Sequence, residues 1–101
     1  MVSFGRYYQF AILRDFIAAH PYSDVALRDW YKKTEKCNWN NLSELKMTYS
    51  SADYVGNDRY VFNIRGNNYR LVAMVFFATH KVYIRWIGQH KDYDKLNCST
   101  L

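Results

Sequence analysis

The chain has 101 residues and a formal net charge of +5 at pH 7, and 19% of its residues are aromatic. This length supports one hydrophobic core, and the composition is typical of a folded rather than a disordered chain. No apolar run is long enough to span a membrane, and the first residues lack the pattern of an export signal. We therefore expect a single domain over residues 1–101, soluble and cytoplasmic.

Two amphipathic helices are predicted in the first third of the chain. The first lies between Phe10 and His20, where apolar residues recur at helical spacing: Phe10, Leu13 and Ile17. Pro21 ends it. Ser23 or Asp24 can cap a second helix, which has one inward stripe: Leu27, Trp30, Tyr31 and Thr34. We expect the two helices to form a hairpin.

The stretch 38–59 is polar and rich in turn residues. It predicts a connecting loop with one helical turn around Ser43–Met47, and with Trp39 and Leu42 in contact with the core.

After this loop the apolar period changes to two, which is typical of strands. Three segments alternate in this way: "YVFNIR", "YRLVAMVFF" and "VYIRWIG". They predict a three-stranded antiparallel meander, and residues 2–8 are a candidate for one more strand. The predicted fold is α+β, with two N-terminal helices packed on one face of a three- to four-stranded antiparallel sheet.

The second hairpin predicts which side chains share a face. If "ATHK" is a four-residue loop, Phe77 pairs with Val82 and Met74 with Arg85. One face is then wholly apolar and should lie under the helices: Leu71, Ala73, Val75, Phe77, Val82, Ile84 and Trp86. The other face stays open and keeps two arginines: Arg70, Val72, Met74, Phe76, Tyr83, Arg85 and Ile87.

The first hairpin can be treated in the same way. Only an even-length loop, Gly66-Asn67 or Asn67-Asn68, places Phe62 and Ile64 on the core face, and it sends Asn63 and Arg65 to the face of Arg70. With Asn67-Asn68 as the turn, Arg65 lies opposite Arg70, and a bound anion would relieve the repulsion.

The pairing of the second hairpin also places Gln89 beside Arg70. His90 should therefore emerge at the same edge of the sheet as Arg65 and Arg70.

The positive charge is uneven along the chain. Residues 1–58 carry seven Lys/Arg and seven Asp/Glu, whereas residues 59–101 carry seven Lys/Arg against two acids. An excess of this kind favours an anionic partner, nucleic acid first. The two cysteines, Cys37 and Cys98, and the three histidines have no metal-ligand spacing, so no metal or cofactor is expected.

RNA cleavage fits these residues, because RNA supplies its own nucleophile, the 2′-hydroxyl. The protein then needs a base, an acid and cations around the phosphorane. His90 is the acid–base candidate, Arg70 and Arg85 suit the phosphate, and Tyr93 can stack on a base or relay a proton.

Three blocks of the sequence resemble the HigB-type toxins of the RelE-like superfamily: "WYKKTEKCNWNN", "SSADYVGNDRYVFNIRGNNYRLV" and "VYIRWIGQHKDYDK". The resemblance implies a bacterial type II toxin that cleaves mRNA at the ribosome and is neutralised by a HigA-type helix-turn-helix antitoxin, with operator DNA bound only through the antitoxin. Its strand arginines fall on Arg70 and Arg85 and its closing histidine on His90, preceded by Gln89 where the family has threonine. RNA-binding candidates accompany them: Asn63, Arg65, Tyr83, Lys91 and Lys95.

Two other functions use the same residues. A non-catalytic RNA- or ribosome-binding module would use this basic face without turnover, and a DNA-binding partner subunit is a weaker alternative.

Overall fold

The computed structural model describes residues 8–97 and arranges them in two layers. One layer is helical: α1 (Tyr8–Ala19), a 3-10 turn (Pro21–Ser23), α2 (Asp24–Glu35) and α3 (Leu42–Thr48). The other is an antiparallel sheet with strands in chain order: β1 (Asp53–Gly56), β2 (Arg59–Ile64), β3 (Tyr69–Phe76) and β4 (Lys81–Gln89). A short helix, α4 (His90–Tyr93), follows β4 directly. The α+β prediction is confirmed.

The helical stripes predicted from the sequence form the core. Leu13 and Ile17 of α1 and Leu27 and Trp30 of α2 are buried against the inner face of the sheet. The predicted cap differs in detail, because Ser23 occupies the N-cap position of α2 but its hydroxyl donates to the carbonyl of His20 at 2.7 Å.

The segment predicted as a loop with one helical turn contains the full helix α3. Asn41 caps it by accepting a hydrogen bond from the Glu44 N–H at 2.9 Å, and the Glu44 carboxylate accepts in return from the N–H of Asn40 at 2.9 Å. This reciprocal capping starts a helix in a polar sequence. Trp39 and Leu42 contact the core as predicted.

The fourth strand is β1, which the sequence did not predict. It pairs with β2 across a tight turn in which Asn57 and Asp58 both have positive φ, 48° and 63°. Such turns match the twist of a hairpin and favour Asn and Asp. The strand expected at residues 2–8 falls outside the described residues, except for Tyr8, which begins α1.

The β2–β3 hairpin confirms the core face but not the predicted turn. Ile64 pairs with Tyr69 and Asn63 with Arg70, so the loop contains four residues, 65–68. The even length keeps Ile64 in the core, as expected. Arg65 lies in the turn with φ of 52°, and Asn63, rather than Arg65, is opposite Arg70.

The predicted β3–β4 register is wrong. Near the turn Val75 pairs with Val82 and Ala73 with Ile84, so the loop is 77–80 rather than "ATHK". Five residues still take the predicted inner face: Leu71, Ala73, Val75, Val82 and Ile84. Phe77 lies in the turn and packs on the same core.

A register shift next to Arg85 changes the faces beyond it. Val72 pairs with Trp86 although Ala73 pairs with Ile84, so Arg85 is an extra residue in β4. Such a bulge shifts the alternation by one position. Trp86 therefore joins the cluster on the outer face and Ile87 packs on the helical side, the reverse of the prediction.

The bulge has a partner on the helical layer. The N–H of Ile84 donates to the side-chain oxygen of Gln9 on α1, and Gln9 is buried. A backbone donor next to the bulge is thus satisfied by a side chain.

The outer face of the sheet is partly covered by the residues that follow β4. Tyr93 and Leu96 pack with Trp86 over the buried pair Val61 and Val72. This second, smaller cluster fixes α4 on the outer face. Among residues 8–97, no helix has the length and apolar character needed to cross a bilayer.

Candidate functional site at the edge of the sheet

The structure brings His90 and Arg70 into direct contact. His90 begins α4, and its backbone N–H donates to the Asn68 carbonyl in the β2–β3 turn at 3.2 Å. The Nη2 atom of Arg70 lies 2.7 Å from Nε2 of His90. Because a guanidinium carries only donors, Nε2 is the acceptor in this hydrogen bond.

The prediction that His90 emerges at the edge of Arg70 therefore holds, but the neighbours differ. Gly88, rather than Gln89, pairs with Arg70, and Gln89 pairs with Tyr69. Gly88 is required there, because a Cβ atom at this position would overlap the indole of Trp86.

Gln89 also bears on the start of α4. It is the N-cap residue of that helix and makes no side-chain cap hydrogen bond. Glutamine is a poor N-cap residue, so the N-terminus of α4 lacks this support.

Tyr93 holds the other side of Arg70. The guanidinium carbon lies 4.7 Å from the centre of the Tyr93 ring, and that ring in turn packs on Trp86 at 6.3 Å. A cation at this distance from an aromatic face is attracted to it. Arg70 is thus fixed between a phenol ring and an imidazole.

One donor of Arg70 has no hydrogen-bond partner. Its Nε atom is buried and unpaired, although Nη2 is engaged by His90. A buried N–H without an acceptor costs about 1–3 kcal/mol, so an anion that accepts from Nε would be favoured at this position.

Beside this cluster is an open pocket of about 430 Å³, which we call the edge pocket. It lies where the β2–β3 turn meets the end of β4, and its lining is polar and basic: Arg65, Asn67, Asn68, Tyr69, Gln89, His90 and Lys91. His90 lines the pocket and also contacts Arg70, so it joins the pocket to the outer face.

Three other predicted site residues, Tyr83, Arg85 and Lys95, do not line the edge pocket. Tyr83 pairs with Met74, which is four residues, or roughly 13 Å, along β3 from Arg70. Its ring packs against Phe76. Arg85 is exposed at the bulge, and Lys95 is exposed after α4.

Several residues at this edge were not predicted from the sequence. Tyr69 forms a wall of the edge pocket, and Phe16 and His20 of the helical layer pack against its ring at 5.7 and 6.0 Å. Tyr22, 77% exposed, lies under the guanidinium of Arg65 at 5.5 Å. These contacts join segments distant in the chain, and no local motif indicates them.

Ordinary metal ligands do not cluster in the part of the chain that the structure describes. Across residues 8–97, no three His, Cys, Asp or Glu side chains are arranged to hold an ion. Of the two cysteines, Cys37 is a free thiol that donates to the Lys33 carbonyl, and Cys98 lies outside the described residues.

Comparison with known proteins identifies the family. The family model of the HigB toxin, the RelE-like toxic component of a toxin–antitoxin system, matches residues 23–96. The chain belongs to the HigB toxin family. The matched range includes Arg65, Arg70, His90 and Tyr93. Membership of a toxin–antitoxin system implies an antitoxin partner.

Individual relatives agree with this assignment. The chain is 41% identical over 85 residues to the mRNA interferase toxin HigB of Escherichia coli strain K12, covering 81% of each protein. The mRNA interferase HigB of Shigella flexneri matches to the same extent. The mRNA interferase HigB of Escherichia coli O6:H1 strain CFT073 is 27% identical over 79 residues, covering 76% of this chain and 77% of the relative.

Proposed function

We propose that this chain is an mRNA endoribonuclease that acts at the ribosome and needs no metal ion. The names of its relatives, mRNA interferases, support the substrate. The observation that carries the proposal is the 2.7 Å contact between Arg70 Nη2 and Nε2 of His90, a residue that lines a basic pocket. This contact supports an acid–base role for His90 beside a phosphate-binding role for Arg70.

The reaction is attack by the 2′-hydroxyl on the adjacent phosphorus. His90 Nε2 takes the hydroxyl proton, the new O–P bond closes a 2′,3′-cyclic phosphate, and the 5′-oxygen leaves as a hydroxyl with a proton relayed through Tyr93. Arg70 and Arg85 balance the negative charge of the phosphorane.

The contact between His90 and Arg70 gives this scheme an order of events. In the free protein, Nε2 accepts from Arg70 and has no lone pair left for a substrate proton. A phosphate bound by the Arg70 guanidinium competes for the same N–H, because an anionic oxygen accepts from a guanidinium more strongly than a neutral ring nitrogen does. Substrate binding therefore releases Nε2 to act as the base.

The ribosome supplies what this small site lacks. In-line attack requires the 2′-oxygen, the phosphorus and the leaving oxygen to be aligned, and an open pocket of about 430 Å³ grips little of a flexible strand. A ribosomal A site holds the mRNA bent, and the basic residues of 59–101 can engage the surrounding rRNA phosphates. The protein accordingly acts in the cytoplasm.

The antitoxin in this proposal is a HigA-type helix-turn-helix protein, and operator DNA is bound only through it. The basic face of the toxin is matched by an acidic or apolar surface on the antitoxin.

The test compares translated and naked copies of one mRNA, with cleavage sites mapped by primer extension. Purified protein should cut the translated mRNA within codons and leave the naked RNA almost intact. The product ends should be a 2′,3′-cyclic phosphate and a 5′-hydroxyl, and His90→Ala serves as the blank for contaminating nuclease. Equal His90-dependent rates on both substrates would make the protein a free ribonuclease.

The same variant separates the catalytic function from a non-catalytic binding module. If His90→Ala arrests growth as strongly as the wild type and no new RNA ends appear in either, the protein inhibits by binding alone.

A further inference from the structure

Tyr22 of the helical layer contacts Arg65, one of the residues that line the edge pocket. Tyr22 belongs to the 3-10 turn between α1 and α2, and Arg65 to the turn between β2 and β3. The Arg65 guanidinium carbon lies 5.5 Å from the centre of the Tyr22 ring. Arg65 also lines the edge pocket with His90 and Lys91.

Burial in the core does not explain why a tyrosine occupies position 22. Tyr22 is 77% exposed, although a large aromatic ring gains most from burial. The Arg65 guanidinium lies over its ring, and most of the side chain is open to water.

The backbone conformation does not explain why an arginine occupies position 65 either. Arg65 has φ of 52°, in the left-handed region that favours glycine or asparagine, and Gly66 follows it at 64°. Backbone strain at a residue without a packing role is a common property of binding sites.

We propose that Tyr22 and Arg65 form a base-stacking platform at the rim of the edge pocket, which binds the RNA nucleotide flanking the cleaved bond. A guanidinium stacked on a phenol ring keeps its second face free for a base and its N–H edge free for a phosphate. Aromatic and guanidinium planes are the usual supports for unstacked RNA bases. Tyr22 is a binding and positioning residue here, and the inference rests on the proposed function for its substrate.

The pocket connects this platform to the chemistry. Arg65, Lys91 and His90 share one lining, so a strand whose base stacks at the rim has its next phosphates on a basic path towards His90 and Arg70. The platform should therefore affect substrate binding and alignment more than the proton transfer.

The first experiment measures cleavage by three variants on translated mRNA. Tyr22→Leu should raise KM roughly tenfold and leave kcat within about twofold, the size expected for the loss of one stacked base. Tyr22→Phe keeps the ring and should behave as the wild type. Tyr54→Leu is the matched control, because Tyr54 is 52% exposed on β1, at the far edge of the sheet.

The second experiment does not depend on cleavage. A fluorescent single-stranded RNA oligonucleotide is titrated at low salt with the His90→Ala protein and with the double variant that also carries Tyr22→Leu. The double variant should bind roughly tenfold more weakly. The chloride dependence of Kd should stay the same, because no charge has been removed.

The two experiments separate the failure of each idea. If the wild type cuts nothing but Tyr22→Leu weakens oligonucleotide binding, the platform stands and the nuclease proposal fails. If cleavage proceeds and Tyr22→Leu matches the wild type in KM, the platform is wrong. It is also wrong if Tyr22→Phe is as impaired as Tyr22→Leu, or if the His90→Ala protein binds no RNA.

Discussion

Arg70 is the residue on which the candidate site depends most. Its guanidinium contacts His90 through Nη2 and the ring of Tyr93 through its face, and Nε stays unpaired. Three parts of the chain, β3, the start of α4 and the end of α4, thus meet at one side chain.

Removal of the imidazole should separate catalysis from stability. His90→Ala should lower mRNA cleavage by roughly 10²-fold or more, because the acid–base group is lost. The free energy of unfolding should change by less than about 1 kcal/mol, since His90 is only half-buried in an open pocket and the Arg70 N–H that it releases can turn to water. Toxicity on induced expression and the melting temperature check the two halves, and full toxicity would remove His90 from the mechanism.

Replacement of the arginines by lysine tests the shape of the cation. Arg70→Lys keeps the charge but loses the planar guanidinium, whose several N–H groups can bind His90 and a phosphate together. Cleavage should therefore fall by about 10²-fold. Arg85→Lys should also reduce cleavage sharply. Arg59→Lys is the control, because Arg59 pairs with Met74 at the far end of the outer face. If Arg70→Lys cleaves at the wild-type rate, Arg70 contributes only its positive charge and not the geometry of the guanidinium.

At the level of elements, Tyr49 connects α2 to the sheet. Its hydroxyl donates to the Trp30 carbonyl at 3.1 Å and lies 2.8 Å from the Thr34 hydroxyl, and its ring packs edge-on against Phe62 of β2 at 5.4 Å. Burial raises the pKa of Tyr49 above its ordinary value of 10.0.

Tyr49→Phe should destabilise the fold by about 1–3 kcal/mol, because the fully buried hydroxyl of Thr34 loses its partner. Cleavage per folded molecule should not change. Equilibrium unfolding in urea measures the loss, and an unchanged midpoint would show that Thr34 finds another acceptor.

Alkaline pH gives the same contact a second test. Because the pKa of Tyr49 is higher in the folded than in the unfolded protein, the folded protein keeps the phenol proton to higher pH. The stability that results is fully present below pH 10, and it falls as pH rises above 10. The fall should be shallower for Tyr49→Phe. Tyr31 and Tyr60, whose pKa values burial also raises, remain in both proteins and contribute equally to the decline.

In the complete fold, the positive charge is uneven. The excess lies in residues 59–101, and in the described part of that range Arg65 and Lys91 line the edge pocket while Arg70 contacts its lining residue His90 from the outer face. We expect the antitoxin to cover this surface or the helices flanking it, with carboxylates or apolar side chains facing the basic residues. A structure of the complex tests this. A complex that leaves Arg70, Arg85 and His90 open, without distorting the site or blocking ribosome entry, would contradict it.

Local sequence patterns were enough to predict the layers and most of the core. Helical spacing predicted the buried faces of α1 and α2, and alternation predicted β2, β3 and the near half of β4, because both patterns depend only on neighbouring residues. The same alternation brought His90 to the edge of Arg70. The strand β1 was missed because four residues in a polar stretch carry too little periodicity.

The contacts that complete the candidate site could not be predicted from local patterns. The extra residue at Arg85 turned Trp86 towards the outer face. The segment "VYIRWIG" does not reveal this bulge, because its apolar residues occupy both odd and even positions. Trp86 in turn supports Tyr93, which returns on α4 to stack on Arg70. Tyr22 reached Arg65 from another layer. Such contacts depend on how whole elements pack, whereas periodicity records only which side of its own element each residue faces.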